Sequence, residues 1–160
     1  MHENDIAKIV VDTAFKVHRV LGPGLFESVY ETVLAHEIEQ RELAVERQKV
    51  IPINYEGLVL DEGFRADLVV GDKVIVELKS VETLAPVHKK QLLTYLKLAD
   101  KRLGLLINFG ANLIKDGIFR VPQRFAVSSV AFAQMTVAFL FQLAVSREKH
   151  ATRQNVPQFR

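Results

Sequence analysis

The chain opens with apolar residues that recur every three or four positions, which is the period of a helix with one buried face. This pattern predicts an amphipathic helix over residues 3–20, which the breaker sequence Gly22-Pro23-Gly24 ends. A second helical pattern covers residues 25–41. A third begins at Pro86, because proline is tolerated in the first turn of a helix, and runs to about residue 99.

After the second helix the pattern changes to an alternation of apolar and polar residues, which is typical of strands. Four short strands are predicted, at residues 50–55, 58–60, 64–70 and 73–79, separated by turns at 56–57, 61–63 and 71–72. A further apolar strand at 102–109 follows the third helix. This order predicts an α/β fold in which helices flank a central mixed sheet.

Two of these strands carry ionisable residues on one face, with Asp67 on the first strand and Glu77 and Lys79 on the second. A two-residue turn between them would pair Asp67 with Val76 and would bring an apolar face beside a charged one, which is costly. A three-residue loop or a bulge would pair Asp67 with Glu77 and match both apolar faces. We therefore predict the three-residue loop or the bulge.

The predicted register places two carboxylates side by side, with a lysine two residues further along. Adjacent carboxylates repel each other unless a positive charge lies close to them, and Mg²⁺ and Mn²⁺ prefer oxygen ligands of this kind. Lys79 could then activate a water molecule or neutralise charge that develops on a phosphate. The spacing alone equally allows a cluster of surface salt bridges.

Composition excludes several other kinds of chemistry. With 160 residues, 49% of them hydrophobic, and a net charge of +2, the chain has the size and composition of one globular domain and lacks a bulk basic surface. The absence of cysteine excludes disulfides and thiolate sites. Residues 1–10 do not resemble a signal peptide, so a cytoplasmic location is expected.

Three ordered blocks of the sequence resemble a known family. They are Gly-Leu-Phe-Glu-Ser-Val-Tyr at 24–30, Phe-Arg-Ala-Asp-Leu-Val at 64–69 and Val-Glu-Leu-Lys at 76–79. The order Asp67, nine residues, then Glu77-Leu78-Lys79 is similar to the motif of the PD-(D/E)xK nuclease superfamily. The three blocks together resemble its small bacterial members called GxxExxY proteins. Ala66 stands where the superfamily's name has proline, a position that varies among such nucleases.

This resemblance implies a restriction-endonuclease-like core with the element order α-βββ-α-β. It implies hydrolysis of phosphodiester bonds in nucleic acid that depends on Mg²⁺ or Mn²⁺, with DNA expected ahead of RNA. By this resemblance, Glu27, Asp67, Glu77 and the backbone carbonyl of Leu78 would bind the metal. Asp67, Glu77 and Lys79 would be the catalytic residues.

Gln91 and Tyr95 resemble the Gln-x-x-x-Tyr motif of the branch that contains RecB-type and λ-exonuclease-like nucleases. Their spacing of four places both on one face of the third helix. Together with Arg65 and Lys90 they are candidates for binding the substrate. Packing of Tyr95 in the core and ordinary solvation of the cationic side chains are the alternative explanations.

The last quarter of the chain lies outside the resemblance, so residues 1–120 are predicted to be the nuclease-like domain and 121–160 a C-terminal extension. Residues 125–145 carry no charge and are long enough to cross a bilayer, but several polar residues interrupt them. A helix that is buried or forms a homodimer is therefore favoured over a membrane anchor, followed by a loose basic tail.

The sequence allows one rival function, a module that keeps the nuclease fold and binds nucleic acid or protein without hydrolysis. All four residues of the site that the resemblance implies, Glu27, Asp67, Glu77 and Lys79, are present, and their presence favours the enzyme. A third interpretation is a dimeric or membrane-associated protein organised by residues 125–145.

Overall fold

The structure is a computed structural model, and it describes residues 1–55 and 58–123 of the chain. Its helices and strands, in chain order, are α1 Glu3–Leu21, α2 Glu27–Glu39, β1 Val45–Tyr55, β2 Leu58–Val70, β3 Val74–Lys79, α3 Pro86–Leu98, β4 Leu103–Asn108, α4 Ile114–Gly117 and β5 Ile118–Pro122. These five strands form one mixed sheet in the order β1-β2-β3-β4-β5, in which β3 and β4 run parallel and the other neighbours antiparallel. The predicted α/β fold with a central mixed sheet flanked by helices is confirmed.

Helices cover both faces of the sheet. On one face, Val10 of α1 and Leu34 of α2 belong to the same buried cluster as Val76 of β3. On the other face, Leu92 of α3 packs in a second cluster with Ile75, the preceding residue of the same strand. Strands between two layers are buried on both faces, which explains why β3 and β4 are nearly continuous apolar runs. The face expected to carry ionisable groups is therefore apolar away from the carboxylates.

The ends of the helices follow local signals. His2 and Asp5 form a capping box at the start of α1, and Gly22 takes a φ of 69° just after its end. α2 begins at Glu27, two residues later than predicted, because the backbone of Phe26 is extended. Pro86 is the first residue of α3, as predicted.

β2 is one continuous strand, so the predicted turn at 61–63 is wrong. Gly63 lies where the two strands of the β1–β2 hairpin approach each other closely. A Cβ atom at this position would lie 2.4 Å from Cγ1 of Ile53 and 2.8 Å from the carbonyl oxygen of Ile51. The register of the hairpin shifts between these two isoleucines, at Pro52, which has no N–H for the ladder. Gly63 therefore allows the two strands to pack closely at a bulge, and it does not mark a turn of the chain.

The predicted alternation along residues 64–70, with one apolar face and one face that carries Asp67, is also wrong. Ala66 packs in the cluster that α3 covers, whereas Leu68 packs in the cluster beneath α1 and α2. The paired positions of β1 and β2 skip Gln48 and Asp67, and the φ of Gln48 is 49°. This irregularity breaks the alternation of faces, and Asp67 lies at the break.

Three features near the ends of the sheet are absent from the prediction. α4 has only four residues, which is too short to show a helical period. β5 pairs with β4 at the edge of the sheet, and its mixed exposure produces no clear alternation. β1 begins at Val45 and not at residue 50, because the polar residues 46–49 hide its start in the sequence pattern.

Residues 56–57 and 124–160 lie outside the described part of the chain. The predicted turn at 56–57, the apolar helix at 125–145 and the homodimer that this helix would form therefore stay predictions. No helix within residues 1–55 and 58–123 is long and apolar enough to cross a membrane.

We expect the substitution Gly63→Ala to lower the free energy of unfolding by about 1–3 kcal/mol, because the added methyl group would overlap Ile53 and the backbone of Ile51. Urea denaturation followed by circular dichroism would measure this loss. Arg65→Ala, at an exposed position of the same strand, is the control and should change the value by less than about 0.5 kcal/mol. Equal stabilities of the two variants would contradict the close approach at Gly63.

Candidate active site

The loop between β2 and β3 has the predicted length. Residues 71–73 form a three-residue connection, and the register beyond it continues to Leu68 opposite Val76. The next positions along the two strands are Asp67 and Glu77. The predicted three-residue loop is therefore confirmed, and it brings Asp67 and Glu77 to the positions just beyond the last pair of the ladder.

Asp67, Glu77 and Lys79 form the centre of the site. Oδ2 of Asp67 accepts a hydrogen bond of 2.8 Å from the backbone N–H of Leu78, which ties this carboxylate to β3. Oε1 of Glu77 lies 2.7 Å from Nζ of Lys79, and Glu77 is only 3% exposed. By the alternation of a strand, Glu77 shares its face with Ile75, which packs beneath α3. The three side chains thus meet at the carboxyl end of β3.

Burial and like charge dominate the electrostatics of this group. Burial, followed by the charge of Asp67, raises the pKa of Glu77 to about 7. Burial also raises the pKa of Asp67, although the hydrogen bond from the N–H of Leu78 partly offsets this effect. Burial lowers the pKa of Lys79, but the charges of Glu77, Asp67 and Glu27 outweigh it, so this pKa lies above its usual value. Lys79 is therefore an ammonium at neutral pH, in contact with a carboxyl group whose ionisation burial opposes.

Glu27 is the first residue of α2 and lies near the same group. Its Oε1 accepts a hydrogen bond of 3.1 Å from the backbone N–H of Ser80, the residue directly after Lys79. Oγ of Ser80 donates in turn to the carbonyl oxygen of Leu25 at 2.6 Å. These bonds fasten the start of α2 to the end of β3. A cavity of about 410 Å³ is lined here by Leu25, Phe26, Glu27, Ser28 and Ser80.

Tyr30 holds the segment that precedes Glu27. Its hydroxyl donates to the carbonyl oxygen of Gly22 at 2.6 Å and accepts from the N–H of Leu25 at 3.2 Å. Its ring is fully buried and stacks on Phe109, with the ring centroids 4.3 Å apart. Tyr30 therefore acts by packing and by ordering the loop between α1 and α2.

Asn108 orders the chain on the other side of the site. It is paired with Lys79 in the parallel ladder of β3 and β4. Its Oδ1 accepts from the N–H groups of Val81 and Gly110 at 3.0 and 3.1 Å, and its Nδ2 donates to the carbonyl oxygen of Val81 at 2.8 Å. The backbone directly beyond the lysine is thus held in place by side-chain bonds.

Two residues near Asp67, Gln48 and Glu31, are absent from the sequence prediction. Nε2 of Gln48 donates to Oε2 of Glu31 at 2.6 Å and to Oδ1 of Asp67 at 3.3 Å. Glu31 lies four residues after Glu27 on α2, so helical spacing could have identified it. Gln48 gives no such signal, because it lies before the predicted start of its strand.

His88 also lies near the site, in the first turn of α3. Its Nδ1 accepts a hydrogen bond of 3.3 Å from the backbone N–H of Ala85. Burial, followed by the charge of Lys79, lowers the pKa of His88, and the charge of Glu27 acts in the opposite direction. The imidazole is therefore mainly neutral at pH 7 and close enough to sense both charges.

The residues predicted to bind substrate lie on α3 and on β2. Nε2 of Gln91 donates to Oη of Tyr95, in agreement with the shared helical face. Tyr95 is 7% exposed and stacks on Phe64 with ring centroids 3.8 Å apart, in agreement with a packing role. Arg65 on β2 and Lys90 on α3 are exposed. Contact of these four candidates with a substrate stays a prediction.

The donor set at the end of β3 fits a hard divalent cation. Among the residues that the structure describes, no three His, Cys, Asp or Glu side chains are grouped closely enough to form a metal site by themselves. Mg²⁺ needs fewer, because one or two carboxylates, water and substrate phosphate complete its coordination. Asp67 and Glu77 provide two carboxylates, and Oε2 of Glu77 is buried with no hydrogen-bond partner within the described part of the chain. A bound cation would satisfy this oxygen.

A family model described as the PD-(D/E)XK nuclease superfamily matches residues 4–121, a range that includes Glu27, Asp67, Glu77 and Lys79. No curated protein and no solved structure shows a significant match to the chain. The narrower GxxExxY family and the RecB-like branch therefore stay predictions. Because the family model matches well over half of the 160 residues, the chain belongs to the PD-(D/E)XK nuclease superfamily.

Proposed function

We propose that this chain is a nuclease that uses Mg²⁺ or Mn²⁺ to hydrolyse phosphodiester bonds, with DNA as its substrate ahead of RNA. Membership of a nuclease superfamily supports a nucleic-acid substrate. The observation that carries the proposal is the state of Glu77, a carboxyl group buried beside Asp67 and Lys79 with one oxygen that no described residue satisfies. A buried carboxyl group with an unsatisfied oxygen lowers the stability of the fold, and such groups are concentrated at sites that bind a ligand or catalyse a reaction.

In this proposal Asp67 and Glu77 hold the metal directly. Glu27 and the backbone carbonyl of Leu78 would complete the protein ligands, as the family resemblance implies. When bound, the cation would polarise the phosphoryl oxygen and lower the pKa of a water molecule. The bond from the N–H of Leu78 to Oδ2 of Asp67 supports this arrangement, because it brings the carboxylate of β2 to the end of β3.

Lys79 would act through its positive charge and not as a general base. Its raised pKa keeps the ammonium protonated, and its contact with Oε1 of Glu77 holds Nζ beside the two carboxylates. An ammonium can donate a hydrogen bond to the attacking water and can stabilise the negative charge that develops on the phosphate. Both effects act on the transition state more than on the bound substrate.

The remaining candidates would contact the substrate away from the scissile bond. Arg65 and Lys90 are exposed cations, which supports contacts with backbone phosphates. Gln91 donates to the hydroxyl of the buried Tyr95, so Tyr95 would hold the Gln91 amide in place for contact with a nucleotide.

We expect the protein to cleave nucleic acid in Mg²⁺ or Mn²⁺ and not in EDTA, and we expect Lys79→Met to reduce the rate by about 100-fold or more. Methionine fills a buried position without the charge, so the loss reports on the ammonium. Lys8→Met, at an exposed position of α1, is the matched control and should cleave at the wild-type rate. Linear DNA, circular DNA and a structured RNA would be supplied separately, and gel electrophoresis would separate the products.

The same experiment distinguishes the nuclease from a module that only binds. Cleavage that persists in EDTA, or that is unchanged in Lys79→Met, would contradict the assigned chemistry. If the wild-type protein cleaves none of the three polymers and binds no Mn²⁺ in calorimetry, the nuclease is rejected and the binding module is favoured.

The raised pKa of Glu77 implies a pH dependence of stability in the absence of metal. The folded protein raises this pKa from 4.5 to about 7, so between these pH values the folded state keeps a proton that the unfolded state releases. The free energy of unfolding should therefore fall as the pH rises through this range, by up to about 3 kcal/mol. Glu77→Gln does not ionise and should lose this part of the pH dependence.

Urea denaturation in EDTA at about pH 5 and about pH 8 would measure this difference for both proteins. Wild-type protein and Glu77→Gln that lose stability in parallel between the two pH values would contradict the raised pKa.

A further inference from the structure

The side-chain amide of Gln48 lies between two carboxylates. Its Nε2 donates to Oε2 of Glu31 at 2.6 Å and to Oδ1 of Asp67 at 3.3 Å. Glu31 belongs to α2, Gln48 to β1 and Asp67 to β2, so one amide group connects three elements of the fold. An amide nitrogen has two hydrogens, which allows it to serve both acceptors at once.

The backbone of Gln48 has a conformation that a side chain disfavours. Its φ of 49° lies in the left-handed region, where residues with a Cβ atom have a higher energy than glycine. Strain of this kind persists where the surrounding structure maintains it and is concentrated at functional sites. Glycine would relieve the strain but would remove the amide. The glutamine at this strained position is therefore explained by the hydrogen bonds of its side chain and not by the backbone conformation.

Glu31, which accepts a hydrogen bond from this amide, is itself held by other hydrogen bonds. Nε of Arg47 donates to Oε1 of Glu31 at 2.9 Å, and Nη2 of Arg47 donates to Oγ1 of Thr32 at 2.8 Å. Glu31 is 7% exposed, and both of its carboxylate oxygens have donors. The Glu31 carboxylate therefore holds the Gln48 amide in place beside Asp67.

Both oxygens of Asp67 are restrained as a result. Oδ2 accepts the N–H of Leu78 at 2.8 Å, and Oδ1 accepts the amide of Gln48. Donors from two different strands oppose rotation of the carboxylate. Each carboxylate oxygen can accept a second bond, so this restraint leaves the group able to bind a cation.

We propose that Gln48, anchored by Glu31, is a positioning residue that sets the orientation of the Asp67 carboxylate for metal binding. This inference rests on the proposed function, because it adds a supporting residue to the metal site of the nuclease. Supporting bonds to metal ligands typically change metal affinity or activity by about 10- to 100-fold.

The substitution Gln48→Gly separates positioning from folding. Glycine removes the amide and also relieves the backbone strain, so the midpoint of thermal unfolding should stay the same or rise. The affinity for Mn²⁺, measured by calorimetry without substrate, should fall by about tenfold or more. A merely structural role would give the opposite pattern, which is a lower midpoint with an unchanged affinity.

Asp100→Gly is the matched control. Asp100 is another non-glycine residue with a left-handed φ, of 50°, and it is exposed after the end of α3. Its replacement should give the same backbone relief and leave the Mn²⁺ affinity unchanged. Gln48→Asn keeps an amide and tolerates the left-handed region, so it should recover part of the affinity that glycine loses.

A crystal structure of metal-free Gln48→Gly provides a measurement that does not depend on nuclease activity. We expect the Asp67 carboxylate to be rotated or to occupy more than one orientation. A wild-type Mn²⁺ affinity in this variant overturns the inference. If the wild-type protein binds no Mn²⁺ and cleaves nothing, the proposed function has failed, and an unchanged Asp67 orientation then overturns the inference separately.

Discussion

Glu77 is almost fully buried between a second carboxylate and an ammonium, and several segments of the structure are needed to keep it there. Removal of a carboxylate from water is costly, and the neighbouring charge of Asp67 adds to that cost. The contact with Lys79 offsets part of it, but one oxygen of Glu77 has no partner in the described part of the chain. The site is therefore a local loss of stability that the surrounding apolar layers must compensate.

The two-layer covering of the sheet provides this compensation. β3 and β4 are buried on both faces, so the end of β3 is anchored on each side by packed helices. The bonds of Tyr30 and Asn108 then order the loops that flank Glu27 and Lys79. Ligands of open α/β sheets bind outside the carboxyl ends of the strands, and the acidic group of this protein lies at such an end.

The irregular pairing at Gln48 shows how a strand can serve two layers and a site at once. Regular alternation would direct Ala66 and Leu68 into the same layer and would direct Asp67 to the opposite one. In this protein the two apolar residues pack in different clusters, and the residue between them is free of the ladder. At this break the carboxylate of Asp67 accepts hydrogen bonds from the N–H of Leu78 and from the amide of Gln48.

The sequence by itself determined those features that depend on neighbouring residues. Helical periodicity and end signals located α1 and α3, and the matching of apolar faces predicted the three-residue loop that sets Asp67 beside Glu77. The family motif points to the same carboxylates and Lys79, whose roles stay predictions. The inferences about the helices and the loop succeeded because period, end signals and hairpin register are properties of short stretches of chain.

Only the tertiary structure decided the features that arise between distant residues. Gly63 is required by the neighbouring strand, and the amide of Gln48 reaches acceptors that are 17 and 19 residues away in the sequence. Glu77 is 3% exposed, and Asp67, whose charge adds to the rise of its pKa, lies on a neighbouring strand. Close approach, burial and the orientation of a carboxylate all depend on which elements pack together. A local pattern of residue types does not contain that information.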